Sequence, residues 1–255
     1  MWFIVGSDAF SEFNKWEKYD LVASGTTGNY TVILYKNGVA ANAGEASDAN
    51  VTGISAPFKI GYFMQTNHAN FSGFMDDFQI YKGVAFNANT IIERYQTGRA
   101  GNYTTANSSC VLHVKADSTY GNETFIDSSY KGHKVYKNYK MSHYIDDNRT
   151  ANTALFFDGY SMIKIHSNSL FQPGKSDFTA EAWVKLNGAR QPATSYMKIM
   201  DKWQDGGGAS REVEFRIDGE LIKMSEVVKP IFIDGVWFEI DTIEDLANIR
   251  KKIAD

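Results

Sequence analysis

The chain has 255 residues, 43% of them hydrophobic and 22% charged, with 26 basic against 30 acidic side chains for a formal net charge of −4. That balance excludes a disordered polyelectrolyte and a protein that grips nucleic acid through bulk positive charge. A single cysteine, Cys110, excludes an internal disulfide framework, and no apolar run reaches the roughly 20 residues of a membrane-spanning helix.

In chain order, the start at Met1-Trp2-Phe3-Ile4-Val5 lacks a basic region and is too short in apolar residues for a secretory signal, so none is expected. Thr31-Val32-Ile33-Leu34-Tyr35 is β-branched and aromatic, and it runs into Lys36-Asn37-Gly38-Val39. Asn-Gly in that place predicts a type I′ hairpin turn, because both residues tolerate positive φ. Phe74 to Tyr81 alternates with period two, which predicts Phe74, Asp76, Phe78 and Ile80 on one face and Met75, Asp77, Gln79 and Tyr81 on the other. Asn89 to Tyr95 has the length of about two helical turns.

Residues 99–109 are small and polar and read as a linker. Beyond them, Ala154-Leu155-Phe156-Phe157 leads into a turn at Asp158-Gly159 and a strand from Ser161 to Ile165. Phe178 to Lys185 alternates cleanly. Phe178, Ala180, Ala182 and Val184 are predicted to face a core, with Thr179, Glu181, Trp183 and Lys185 opposite, and the alanines imply close approach of a second sheet. The segment 226–255 changes character to one strand and a helix carrying Leu246, Ile249 and Ile253 on one stripe. Many short strands separated by turn residues predict an all-β protein of two packed sheets.

Five of these segments, in their wording, resemble the laminin-G-like branch of the concanavalin A-like jelly rolls. Ala154 to Gly159 and Asp177 to Lys185 resemble the opening half of such a domain. Trp16 to Val22, Leu34-Tyr35-Lys36-Asn37-Gly38 and Phe71 to Tyr81 with its following helix resemble the closing half. The halves stand in reversed order: the closing half at 1–98, the opening half at 110–225. This order suits the end of one domain followed by the start of another, or one permuted sandwich. A half-sandwich would expose an apolar sheet face and unpaired strand edges, which favours the permuted form. The fold expected is thus an all-β, two-sheet antiparallel jelly-roll sandwich with a short C-terminal α/β tail.

The resemblance implies recognition of a glycan or surface protein rather than catalysis, within a phage tail or adhesion structure on a virion or extracellular surface, as a homo-oligomer or as part of a virion assembly. Candidate sugar-binding residues are Asn67, His68 and Asn70 in one polar loop and Trp203 in another, because amides bridge hydroxyls and an exposed ring stacks on a pyranose. Many relatives of this fold carry a rim calcium. Asp76, predicted on the apolar face of its strand, is the candidate ligand; a buried carboxylate there needs either a cation or backbone N–H groups.

The alternative is a jelly-roll glycoside hydrolase. Glu239-Ile240-Asp241-Thr242-Ile243-Glu244 resembles the acid pair of such enzymes, with Glu239 and Glu244 flanking the bond to be cut. The helical text after it favours capping instead, with Thr242 and Asp245 in a capping-box relation and Glu244 at the positive end of the helix. The same tail weakly resembles the closing segment of sugar-phosphate nucleotidyltransferases, where an aspartate matching Asp241 helps hold magnesium. Those enzymes need a Gly-rich basic loop near their start, and Gly206-Gly207-Gly208 lacks the lysine for that task. The five histidines make no metal-ligand spacing, and no Gly-x-Ser-x-Gly elbow occurs. A purely structural spacer is the third reading.

Overall fold

The computed structural model describes residues 4–5, 16–26, 29–46, 56–61, 70–99, 108–138, 141–145, 153–171, 176–186, 196–203 and 211–218. The chain divides into a unit Met1–Leu221 and a second, Ile222–Asp255. All described residues belong to the first, and the tail bearing Glu239, Asp241 and Glu244 lies outside them.

The described strands are, in order, β1 (Ile4–Val5), β2 (Glu17–Thr26), β3 (Asn29–Lys36), β4 (Val39–Ala46), β5 (Phe58–Ile60), β6 (Ser72–Lys82), β7 (Cys110–Val114), β8 (Val135–Asn138), β9 (His143–Ile145), β10 (Thr153–Asp158), β11 (Met162–Ile165), β12 (Phe178–Leu186), β13 (Tyr196–Trp203) and β14 (Arg211–Asp218). Among the described residues one α-helix, α1 (Ala88–Arg99), follows β6, and a 3-10 turn spans Ser169–Phe171. The strands form two sheets, antiparallel except where β1 joins β14. The six-stranded sheet runs β1-β14-β13-β5-β11-β8. The eight-stranded sheet runs β4-β3-β2-β12-β6-β10-β9, with β7 also paired to β6. The protein is an all-β sandwich.

Strands from before and after residue 109 alternate within both sheets. β12 lies between β2 and β6, and β5 lies between β13 and β11. Neither stretch alone would satisfy its own sheet edges, since the backbone groups of β2 and β6 on these edges bond to β12.

The hydrophobic pattern explains the packing. Tyr19, Leu21, Phe78, Ile80, Phe178, Ala180, Ala182 and Val184 of the eight-stranded sheet meet Phe58, Ile60, Ile163, Ile199 and Met200 of the six-stranded sheet in one buried cluster. The face predicted for β12 is the face that enters this core. Asn37 and Gly38 have φ of 54° and 83°, as the hairpin turn between β3 and β4 requires.

Two expectations are corrected. The strict alternation over β6 breaks at Asp77, whose φ is 52°. The register against β12 slips there, from Gln79 opposite Glu181 to Asp76 opposite Trp183. An extra residue in a strand shifts everything beyond it to the other face. Met75 and Phe78 therefore both enter the core, while Phe74 and Asp76 lie on the outer face with Trp183 and Lys185. The helix is also longer than expected, at twelve residues or about three turns. Asn87 caps it, its Oδ1 accepting from Thr90 N at 2.9 Å. Its length is set by docking: Ile91, Arg94, Tyr95 and Gly98 make one stripe against the sheet.

Gly61, with φ of +82°, is a second point where backbone and core meet. A Cβ there would stand 2.3 Å from the Phe157 ring. Gly61→Ala is expected to destabilise the fold by roughly 2–4 kcal/mol, combining left-handed strain with overpacking. Gly83→Ala, at a φ of +77° with nothing within 4 Å, should lose only about 1 kcal/mol. Urea unfolding of both variants checks this; equal losses would contradict the packing described.

Candidate functional site

The outer face of the eight-stranded sheet has two parts, one closed by α1 and one open. Under α1 lies a buried polar network. Glu181 is 1% exposed and receives Arg94 of the helix on both oxygens, Nε reaching Oε2 at 2.9 Å. Lys18 Nζ donates to the same Oε2 at 2.8 Å and also to Asp20. From Arg94 the bonds continue to Tyr81 Oη at 2.6 Å, from Tyr81 Oη to Gln79 Oε1 at 2.5 Å, and from Gln79 Nε2 to Asp77 Oδ1 at 2.9 Å. Asp77 Oδ1 in turn meets His113 Nε2 at 2.5 Å.

Burial opposes the charge on Glu181, but Lys18 and then Arg94 outweigh it and hold that carboxyl below the ordinary range. Asp20 shows the opposite balance. Burial, only partly offset by Lys18 and reinforced by Glu181, pushes it up to about 7. Burial and the nearby Glu181 charge also push up the Tyr81 hydroxyl. Lys18 and Arg94 offset the Glu181 charge here, and the bonds from Arg94 to Glu181 and Tyr81 fasten helix to sheet. Breaking such a buried set by removing one partner typically costs about 3–5 kcal/mol. Cys110 sits beside it, fully buried, donating to the Leu112 carbonyl, its thiol pushed up to about 12 by burial. A thiol so placed is a packing residue.

The open half presents aromatic rings. Phe74 of β6, Phe156 of β10 and Tyr144 of β9 form a triangle with centroid separations of 5.1, 5.6 and 5.6 Å. Phe74 and Phe156 are direct cross-strand partners. Tyr120 stands edge-on to Tyr144 at 5.6 Å, and Lys185 Nζ lies 5.3 Å from the centroid of Phe74. Phe74 and Phe156 are half-buried, while Tyr144 and Tyr120 are 42% and 62% exposed. Beside Tyr120, the loop between β7 and β8 and His143 of β9 enclose an open pocket of about 140 Å³, with Ser118, Asn122, Thr124 and Ser128 in its wall.

No family model, curated protein or solved structure matches the chain. The site is therefore read from its own chemistry.

Among the residues singled out from sequence, Asn67 and His68 lie outside the described residues, and so does the side chain of Trp203, the last residue of β13. Asn70 is buried, and its Nδ2 donates to the Gly159 carbonyl at 2.8 Å. Asp76 is fully buried on the outer face, not the apolar one. Its Oδ1 accepts from the backbone N–H of Asp77 at 2.8 Å and of Ala116 at 3.1 Å. Among the described residues no three His, Cys, Asp or Glu side chains are grouped to hold a metal ion. The aromatic triangle escaped the sequence reading because its members come from three separate strands. Phe74 was assigned to the core face, and only the outward phase of Phe156 between inward Leu155 and Phe157 signalled it.

The network yields a pH dependence. Asp20 has a folded-state pKa above its unfolded value, so its contribution is fully present below about pH 4 and is lost as pH rises through about 7. Glu181 works the other way and withdraws stability only below its unfolded value, 4.5. Stability of the intact chain is expected to fall between pH 4 and pH 7, and Asp20→Asn should flatten that slope. Urea midpoints across the range measure it; an unchanged slope in the variant would contradict the assignment.

Proposed function

We propose that this protein is a non-catalytic recognition module that binds carbohydrate on the open half of its eight-stranded sheet. The observation that carries the reading is the aromatic cluster of Phe74, Phe156, Tyr144 and Tyr120. Contiguous rings left half-open to water are expensive unless something covers them, and patches of this kind mark binding surfaces. A pyranose offers an apolar C–H face to such rings and hydroxyls at its edge. Tyr hydroxyls, Lys185 and the amide and hydroxyl groups of the 118–128 loop are placed to meet that edge. The rings sit on adjacent paired strands, so the surface is preorganised and little ordering entropy opposes binding.

The laminin-G-like resemblance of the sequence agrees with this reading, and it extends it to a jelly-roll lectin serving a phage tail or adhesion structure.

A glycan array probed with the intact chain, with calcium and with chelator, tests the proposal. Specific, saturable binding that survives the chelator is expected, because the rings need no cation. Tyr144→Ala should weaken it about tenfold, a loss of about 1.4 kcal/mol, while leaving the melting temperature nearly unchanged. Silence on the array from protein that melts cooperatively, or full affinity in Tyr144→Ala, would contradict the proposal.

A further inference from the structure

The pocket beside Tyr120 is a built site. The loop that forms it is pinned to β9 by Gly121 N to the His143 carbonyl at 2.9 Å and by His143 N to the Asn122 carbonyl at 2.8 Å. Within the loop, Asn122 Nδ2 donates to Ser118 Oγ at 2.6 Å and Asn122 Oδ1 accepts from Thr124 N at 2.7 Å. Asp127 braces its return strand, accepting from the backbone N–H groups of His113, Ser129 and His133. The walls are thus fixed before any ligand arrives.

His143 is a fixed part of the pocket wall. The side chain is 2% exposed and stacks on Phe125 with centroids 5.1 Å apart. Its Nε2 lies 3.0 Å from the Thr124 carbonyl. A carbonyl only accepts, so Nε2 carries a proton and donates to it. The ring's Nδ1 is buried and has no hydrogen-bond partner among the described residues. At the mouth, Lys115 Nζ and Asp117 Oδ2 lie 3.6 Å apart and offset each other's charge. The hydroxyl and amide groups of Ser118, Asn122, Thr124 and Ser128, with Ile126 as an apolar patch and no net charge at the mouth, suit a neutral ligand that carries hydroxyls around an apolar face.

Size and position narrow the ligand further. A volume of about 140 Å³ is well below the roughly 300–1,000 Å³ of cofactor and drug-like pockets. At about 30 Å³ per water it holds on the order of five waters, room of the order of a single monosaccharide ring. Ser118 and Asn122 each stand two residues from Tyr120, so pocket wall and aromatic cluster are within about 7 Å along the backbone. We infer that this pocket takes the terminal ring of a neutral glycan whose following rings lie across Tyr120, Tyr144 and Phe156, so that the protein recognises chain ends. This inference rests on the carbohydrate-binding reading.

The test counts binding sites on the intact protein by calorimetry, using mixed-linkage β-glucan, arabinoxylan, galactomannan and laminarin, each whole and after partial acid hydrolysis. For the polysaccharide that binds, sites per gram should rise in proportion to chain ends, tenfold for a tenfold cut in length. Thr124→Val/Ser128→Ala, in which neither altered hydroxyl takes part in the hydrogen bonds that brace the loop, should weaken binding of the hydrolysed fragments about tenfold. Constant sites per gram, or full affinity in that double variant, would overturn end recognition while leaving the aromatic surface as an interior glycan binder. Absence of binding to every polysaccharide and fragment would overturn both.

Discussion

Everything in this fold turns on β12 being seated between β2 and β6 with both of its faces buried. On one side its alanines let the six-stranded sheet approach, and Ala180, Ala182 and Val184 fill the main core. On the other, Glu181 and Trp183 lie beneath α1. Arg94 and Lys18 neutralise Glu181, while Tyr95 stacks on Trp183 at 5.7 Å and Gly98 lets the helix backbone sit against that ring. A buried carboxylate without those cations would be costly enough to displace the strand. The pairing of β12 therefore dictates the helix, and the helix dictates which half of the outer face is closed.

That division has a functional consequence. The closed half holds most of the outer face's buried charge, and it resists solvent because every described acid in it meets a base or a polar donor. The open half has lost the helix and keeps its rings. The bulge at Asp77 is what separates them. It moves Phe74 outward, places Asp76 where it can accept from Ala116 N, and marks the level at which the neighbour of β6 changes from β10 to β7. Rigid strands thus carry the aromatic surface, and a braced loop carries the polar pocket beside it. The six-stranded sheet has its own buried ionic pair, with Lys198 Nζ 3.6 Å from Asp201.

Much of the architecture was legible in the sequence, and its failures are local. The Asn37-Gly38 turn and the inward face of β12 follow from φ preference and period-two alternation, both strictly local rules. The face of Phe74 and Asp76 did not follow, because alternation carries no warning of an extra residue, and Asp77 adopts a positive φ that its type seldom does. The extent of α1 was hidden for a related reason: Arg94, Tyr95 and Gly98 are ordinary helix-end residues until Glu181 and Trp183 meet them from about 90 positions away. The aromatic surface was the least legible feature. Its rings belong to residues 74, 120, 144 and 156, and only strand order brings them together.

The central claim is that ligands meet this protein on the open half of the eight-stranded sheet and leave the helix-covered half untouched. Backbone and aromatic-ring chemical shifts of the intact chain, followed by nuclear magnetic resonance as the best-bound array glycan is added to saturation, test it most directly. The account expects shifts concentrated at Phe74, Tyr120, Tyr144 and Phe156 and in residues 117–124, with Arg94, Trp183 and Tyr81 unmoved. Shifts centred on α1 or on the six-stranded sheet would contradict it.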